Sequence, residues 1–323
     1  MKFVIAGGTG HIGTLLTRHF RRDGHRVVVL SRNVEAQAVL WDGKSLGDWV
    51  QTLDGADVVI NLAGRSVDAR YSAATKAEII ASRVDSTRVI GEAIALVANP
   101  PRLWLQASTA TIYAHSYDRA NDEYSGTIGG HEPDVPEAWH FSTDVAKAWE
   151  QALDDANTPS TRKVKMRTSV VMSPERGGAF HAILRHSRLG FGRFGDGRQY
   201  MSWIHELDFI RAVEWLIAHN ELEGAINISA PNPVPNAEFM EELRRSWGQH
   251  LAVPTYRPLL EIGAFLMRTE PELVLKSRRV VPARLLESGF TFDFPEWRDA
   301  ARDLCMRKKE GSDSCETRPS SLW

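Results

Sequence analysis

Cysteine is almost missing from this chain. Cys305 and Cys315 are the only two in 323 residues, and both stand near the C-terminus. They are close enough in sequence to pair, but two cysteines make no disulfide framework, and the usage fits a reducing cytosol. An excess of one charge is also missing: the formal net charge is -2 with 25% charged residues. That balance gives no electrostatic footing for nucleic acid or an anionic membrane surface. No apolar run reaches the ~20 residues that a membrane-spanning helix needs. The first apolar stretch, "FVIAG" from Phe3, lacks the long apolar core of a secretory signal. The expectation is a cytoplasmic protein with no membrane and no nucleic-acid partner. The eleven histidines are scattered without the spacing of a metal framework, so no metal site is expected. A G-x-S-x-G elbow, which a Ser-His-Asp hydrolase of the α/β type would carry, is absent as well.

Alternation dominates what is present. "FVIAG", "HRVVVLSR", "AVLW", "ADVVINLAG", "RLWLQASTATIY" and "KVKMRTSVVMS" are apolar, β-branched runs of strand length. Helix-like stretches separate them: Gly10 to Arg22, Leu46 to Leu53, Ser72 to Val97, and Ala138 to Ala156. Such alternation predicts an α/β fold, a Rossmann-type doubly wound parallel sheet covered on both faces. Beyond Gly178 the rhythm breaks into short helical pieces (Phe180 to Leu189, Glu206 to His219) among Gly- and Pro-rich connectors. The predicted organisation is a nucleotide-binding core over 1–175 and a small mixed substrate lobe over 176–304. A segment near 205–230, including the strand "AINIS", returns to the core. The polar stretch 305–323 reads as a flexible tail.

Three glycines, Gly7, Gly10 and Gly13, stand at the first strand-to-helix junction in "VIAGGTGHIGTLL". The first permits a tight turn, the second lets backbone amides approach a pyrophosphate, and the third lets the helix pack close to the strand. With His11 and Ile12 they would put the phosphates at a helix N-terminus, where unpaired amides and the helix dipole favour an anion. The second strand ends in Ser31 and Arg32. A carboxylate there suits the ribose of NAD, whereas a cation suits the extra phosphate of NADP, so the expected cofactor is NADP(H). Asp42, and Trp41 if it is not core, would flank the adenine.

These residues resemble the extended short-chain dehydrogenases/reductases. "GGTGHIG" is similar to that superfamily's nucleotide fingerprint, and "NLAG" to the segment beside the cofactor, which implicates Leu62, Ala63 and Gly64. "QASTATIY" resembles the strand bearing the catalytic Ser or Thr, with Thr109 in the matching place and Ser108 beside it. In "SRVDSTRVI", Arg83 takes the place of an Asn on the superfamily's active-site helix. More narrowly, "VAKAWE", "RTSVVMSP", "SWIHELD" and "LKSRRVVPARLLESGFTFDFPE" resemble an atypical, epimerase-like branch described as NADP-dependent oxidoreductases or epimerases. The resemblance runs from Met1 to about Leu304 and implies backbone near Ser169 to Val171 against the nicotinamide. It also implies a monomer or a homodimer built on the helices carrying Arg83 and Trp149.

Two departures qualify the resemblance. The superfamily's working pair is Tyr-x-x-x-Lys on the helix after the Ser/Thr strand, the phenol acting as acid or base and the Lys lowering its pKa. In "HFSTDVAKAWEQAL" the Tyr place holds Ser142 and the Lys place Ala146; Lys147 lies one residue, about 100°, around the helix. Proton transfer then falls to Thr109, Ser108 or Tyr113, or to solvent, or no turnover occurs. Secondly, Met201 stands where nucleotide-sugar epimerases carry a diphosphate-gripping Arg, and Met cannot make a bidentate phosphate contact. Arg198 would have to compensate, and Trp203 either walls the substrate pocket or fills the lobe core. His205 is expected to hold the hinge. The basic stretch "KSRRVVPARL", with Lys276, Arg278, Arg279 and Arg284, forms either an anionic-substrate rim or a solvated, salt-bridged face. The expected function is hydride exchange with a small carbonyl or alcohol substrate of unknown identity. A sugar-type epimerase and a non-catalytic NADPH-binding sensor are the alternatives.

Overall fold

The computed structural model describes residues 1–33, 38–67, 69–130, 132, 135–249, 252–255 and 272–316. Six strands appear in the expected order: β1 (Lys2–Ala6), β2 (Arg26–Ser31), β3 (Ala38–Leu40), β4 (Val58–Asn61), β5 (Leu103–Thr109) and β6 (Arg162–Thr168). Short strands follow as β7 (Val170–Met172), β8 (Phe191–Phe194), β9 (Tyr200–Met201) and β10 (Trp203–His205). The strand that returns to the core is β11 (Gly224–Ile228), with β12 (Val234–Pro235) and β13 (Val253–Thr255) after it. The main sheet has seven parallel strands in the order β11-β6-β5-β4-β1-β2-β3.

Period-two alternation along each central strand supplies two buried faces. Phe3, Ile5, Val58, Ile60, Leu103 and Leu105 meet α1 (His11–Arg22) and, later in the chain, Phe209, Val213 and Leu216. Val4, Ala6, Val59 and Trp104 face the other way, against α2 (Ala73–Leu96) and α3 (His140–Asp154). Ser72 starts α2 as an N-cap, its side chain accepting from the Thr75 amide.

The second lobe has its own apolar cluster. Phe180 and Leu184 of α4 (Ala179–Arg188), Phe239 and Leu243 of α6 (Asn236–Trp247), and Trp203 and Trp297 pack together. Between them in sequence, α5 (Glu206–Ala218) belongs to the main core. Two short helices follow, α7 (Glu272–Leu275) and α8 (Ala283–Glu287), before α9 (Trp297–Glu316).

Three boundaries differ from expectation. The stretch Leu46 to Leu53 forms only a short 3-10 turn, Asp48–Thr52, with Trp49, Val50 and Leu53 reaching the core. The sixth apolar run divides at Ser169: β6 stays in the main sheet, while β7 turns away to pair with β10. The expected tail boundary at 305 falls inside α9, whose apolar residues Ala300, Ala301, Leu304 and Cys305 complete the second cluster. Cys305 is therefore a buried free thiol; residues 317–323 lie outside the described residues.

Candidate cofactor and substrate site

At Gly7 and Gly13 the glycine loop is packed so tightly against backbone that side chains would not fit. Gly7 has φ +74°, and a Cβ there would stand 2.9 Å from the Ala63 nitrogen and the Leu62 carbonyl carbon. A Cβ on Gly13 would come within 2.5 Å of the Gly7 oxygen and of Gly8 Cα. Both are contacts with backbone, which cannot move aside as a flexible side chain would. Gly10, with φ -72°, is the N-cap of α1 and offers no side-chain cap, so the leading amides of His11, Ile12 and Gly13 remain open to an anion. A second helix start lies against this one: a Cβ on Gly178, the N-cap of α4, would meet His11 Nε2 at 2.7 Å. His11 Nε2 is itself buried and finds no partner among the described residues.

The strand ends beside the loop carry the remaining cofactor candidates. Ser31 is buried, its hydroxyl 3.3 Å from that of Thr9 and accepting from the Asn33 amide at 3.2 Å. Arg32 is exposed, and no hydrogen bond or ion pair ties it down among the described residues. Trp41 belongs to the core, edge-on to Trp49 with ring centroids 5.4 Å apart, within the roughly 4.5–7 Å that such pairs span. Asp42 holds a turn: one carboxylate oxygen accepts from the Lys44 and Ser45 amides at 2.8 and 2.9 Å, which also depresses its pKa. Buried Asn61 fixes the segment 62–64 by accepting from the Ala63 amide at 3.0 Å and donating to Gln106 at 3.0 Å. Arg83 braces the same segment from behind. It donates to the Arg65 and Ile79 carbonyls at 3.0 Å and lies over the Trp149 ring at 5.0 Å. Burial lowers its pKa to about 10. Gly64 admits it, since a Cβ there would sit 3.2 Å from the guanidinium carbon.

Of the three proton-transfer candidates, only Thr109 stands at the strand's end with a side chain near the expected site. It is half-buried and accepts from the Thr111 amide at 3.1 Å. Ser108 and Tyr113 are withdrawn as catalytic candidates. Alternation along β5 turns Ser108 toward α3, where it donates to Glu150 at 2.6 Å. Glu150 also receives Arg167 bidentately, at 2.8 Å through both Nε and Nη2. Tyr113, 2% exposed, accepts from Arg167 at 3.0 Å and donates to Asn227 at 3.0 Å. Burial raises its pKa, the wrong direction for a phenol that must lose a proton. These groups form one buried network that joins β5, α3, β6 and β11.

On the substrate side, Trp203 fills the lobe core, edge-on to Trp297 at 5.0 Å, and does not wall a pocket. Arg198 is exposed, its guanidinium 5.4 Å over the Tyr117 ring. Met201 is buried in the same lobe cluster. At the end of β6, Ser169 donates its amide to Ile228, and its buried hydroxyl has no partner among the described residues. Val171 points into the main core, so only its backbone can meet a ligand. His205 is fully buried and links the start of α5 to α9. Its Nδ1 accepts from the Leu207 amide at 3.2 Å, which leaves Nε2–H to donate to Asp303 of α9 at 3.0 Å.

No residue of "KSRRVVPARL" is fully exposed: Lys276 is buried, and Arg278, Arg279 and Arg284 are half-buried. Arg279 and Arg284 donate to backbone carbonyls of 117–118 and of 223 and 225. Lys276 meets α3 at Thr143, one residue on from the Tyr place, and Arg278 meets Thr111 in the turn after β5; composition gave no sign of either contact. Ala146, at the Lys place, is sealed among Ala110, Ile112, Tyr113 and Val280. Ser142, at the Tyr place, donates to Glu272 at 2.6 Å.

Other clusters lie elsewhere. His19, Asp23 and Glu214 bring their ligand atoms within 4.8 Å of one another and tie α1 to α5. An open cleft of about 910 Å³ between Arg102, Lys163 and Arg284 opens at the N-terminal edge of β5 and β6, opposite to the edge where such sheets bind ligands.

A glycine cradle, an uncapped helix start and a free strand-end cation at the C-terminal edge of a doubly wound sheet define a dinucleotide-binding Rossmann protein. Residues 3–229 match the NAD dependent epimerase/dehydratase family, and residues 257–304 a domain of unknown function, DUF1731. The chain is 32% identical over 311 residues to the epimerase family protein SDR39U1 of Mus musculus, covering 94% of this chain and 99% of that one. It is 31% identical to the epimerase family protein YfhF of Bacillus subtilis, covering 96% and 99%. The crystal structure of human SDR39U1 (isoform 2) with NADPH superposes with a TM-score of 0.83 at 29% identity, covering 95% of this chain and 99% of that one. The chain belongs to the NAD dependent epimerase/dehydratase family, on its atypical, epimerase-like short-chain branch. Among the described residues, no helix is long and apolar enough to cross a membrane.

Proposed function

We propose that this protein binds NADP(H) and acts as an oxidoreductase or epimerase on a small carbonyl or alcohol substrate held near Thr109. The observation that carries the cofactor choice is Arg32: an exposed cation without a partner among the described residues, at the end of β2 beside Ser31. The crystal structure of the human relative with NADPH supports the same choice. Gly7, Gly10 and Gly13 would cradle the pyrophosphate, Leu62 to Gly64 would form the wall opposite, and backbone at Ser169 to Val171 would meet the nicotinamide. When bound, the cofactor supplies or takes up a hydride. Thr109 would position the substrate oxygen, and the Ser142–Glu272 pair would line the place where the family's Tyr stands.

Fluorescence titration of the wild type and Arg32→Ala with NADPH and NADH tests this reading. A charge-assisted contact of about 1.5–3 kcal/mol corresponds to roughly 10- to 150-fold in affinity. Wild type should therefore prefer NADPH, and the variant should lose that preference while binding NADH unchanged. Equal affinity of the wild type for both nucleotides overturns the choice of NADP(H). The absence of Tyr-x-x-x-Lys, with Ala146 sealed in an apolar cluster, favours a second reading as a non-catalytic NADPH sensor. Oxidation of bound NADPH by any cell-extract metabolite excludes that second reading.

A further inference from the structure

The segment around α7 brings charge into the site from more than 120 residues beyond α3. Lys276 is 2% exposed. Its Nζ donates to the Thr111 carbonyl at 3.1 Å and to the Thr143 hydroxyl at 3.2 Å. Thr111 belongs to the turn that directly follows Thr109, and Thr143 stands next to Ser142 on α3. Both acceptors are neutral, and no carboxylate lies within 4.0 Å of Nζ among the described residues. An ammonium buried against neutral oxygens is a costly way to hold a fold together, since an apolar side chain of similar length would serve. Two of its three protons are engaged, one on the turn that follows Thr109 and one on the first turn of α3.

We propose that Lys276 supplies the proton in place of the missing Tyr-x-x-x-Lys pair, so that the C-terminal segment completes the catalytic site. This rests on the reading of the protein as an NADP(H)-dependent oxidoreductase or epimerase. In the reducing direction the substrate carbon accepts hydride from NADPH, the C=O π bond breaks, and its electron pair takes the Lys276 proton as a new O–H bond. The products are an alcohol, NADP+ and a neutral amine, which recovers a proton from solvent; oxidation runs in reverse.

The surrounding charges suit the role. Burial lowers the Lys276 pKa to about 8, and Arg278 and Lys147 act in the same direction, while Glu272 and Glu132 oppose them. His115, whose Nδ1 accepts from the Ser277 amide at 2.9 Å, faces the same cluster and has its own pKa lowered, first by burial and then by Lys276. An acid/base group with a pKa near the working pH is the effective one. Arg278, held by Thr111 Oγ1 at 3.0 Å and by carbonyls of its own segment, anchors the strap that carries the lysine.

A proton donor coupled to hydride transfer must sense the charge on the nicotinamide ring. NADP+ and NADPH carry the same phosphates and differ there by one positive charge, so comparing them isolates the ring. Full-length protein labelled with 13C at lysine Cε is titrated by NMR, apo and saturated with each nucleotide, with the Lys276 signal assigned by its loss in Lys276→Met and in Lys276→Gln. The expected midpoint lies near pH 8 in the apo protein and at least ~1 pH unit lower with NADP+ than with NADPH, as a full charge within about 10 Å requires. Identical midpoints with the two nucleotides, both shown by fluorescence to be bound, overturn the assignment of Lys276 and leave the cofactor reading standing. Failure of either nucleotide to bind overturns both.

Discussion

Glu150 and Arg167 meet as a bidentate pair, with two bonds of 2.8 Å and side chains only 8% and 11% exposed. Around that pair the chain joins four elements, since Ser108 donates to the carboxylate and Tyr113 accepts from the guanidinium. Its protons are internally committed, which is why residues that looked reactive in sequence belong to the scaffold.

Removing one charge from that pair should be far more damaging than removing the hydroxyl beside it. Glu150→Gln leaves Arg167 buried and uncompensated, at an expected cost of about 3–5 kcal/mol. Ser108→Ala removes one hydrogen bond and should cost ~1 kcal/mol. Urea unfolding of both variants checks the ordering, and equal midpoints would show that the network does not bear on stability.

The glycine cradle predicts a contrast between two neighbouring alanine substitutions. Gly13→Ala drives a Cβ into backbone at 2.5 Å, whereas a Cβ on Gly10 meets the Gly7 oxygen at 3.3 Å with an ordinary φ. Gly13→Ala should abolish nucleotide binding and cost about 2 kcal/mol or more by overpacking. Gly10→Ala should fold with near-wild-type stability and lose affinity alone. Parallel thermal melts and NADPH titrations decide the matter.

Lys276 makes stability depend on pH in the alkaline range. Its folded pKa, about 8, lies below the unfolded value near 10.4. Between the two, the unfolded state binds more protons, so stability rises as pH increases from about 8 to about 10.5. Lys276→Met should remove that rise and be about 1–3 kcal/mol more stable than wild type at pH 7. Denaturation at pH 7 and pH 10 measures both.

His205 acts in the acid range. Burial lowers its pKa below the unfolded value near 6.5. The neutral ring's contribution is complete above that value and declines as pH falls toward the folded pKa. His205→Asn retains an acceptor for the Leu207 amide without titrating, so its stability should fall less steeply between pH 6.5 and 5. Because His115, His181 and His186 are lowered too, the slope should flatten without vanishing.

Cys305 should behave as an inert thiol. Burial pushes its pKa up to about 12, and thiolate is the reactive form. In a Cys315→Ser background, a thiol reagent should label nothing until denaturant is added. Rapid labelling of the native variant would contradict the packing of α9 on the second lobe.

Legibility followed the range of the interactions. The parallel core could be read because each strand signals both of its buried faces locally, and the glycine loop because its three constraints lie within seven residues. The orientation of Ser108 is not legible because its partner, Glu150, is 42 residues away. A polar residue at a strand end looks the same from sequence whichever side it faces. Trp203 looked equally suited to pocket and core because only the distant Trp297 decides the matter. The role of Lys276 was the least visible. Its contacts with Thr111 and Thr143 span 165 and 133 residues, and a run of basic residues gives no sign that it will be buried. What the resemblance does reveal is that α3 lacks the family's Tyr-x-x-x-Lys pair.

The position of β11 in the sheet has a consequence for biosynthesis. This strand covers β6, yet it is translated only after 223 earlier residues. Until then β6 presents an open row of amides and carbonyls, and Asn227 has not arrived to receive Tyr113. A nascent chain stalled before that point carries a nearly finished nucleotide-binding sheet with a template for mispairing along one border. For this polypeptide the hazardous interval on the ribosome comes late, when most of the nucleotide-binding core has already been made.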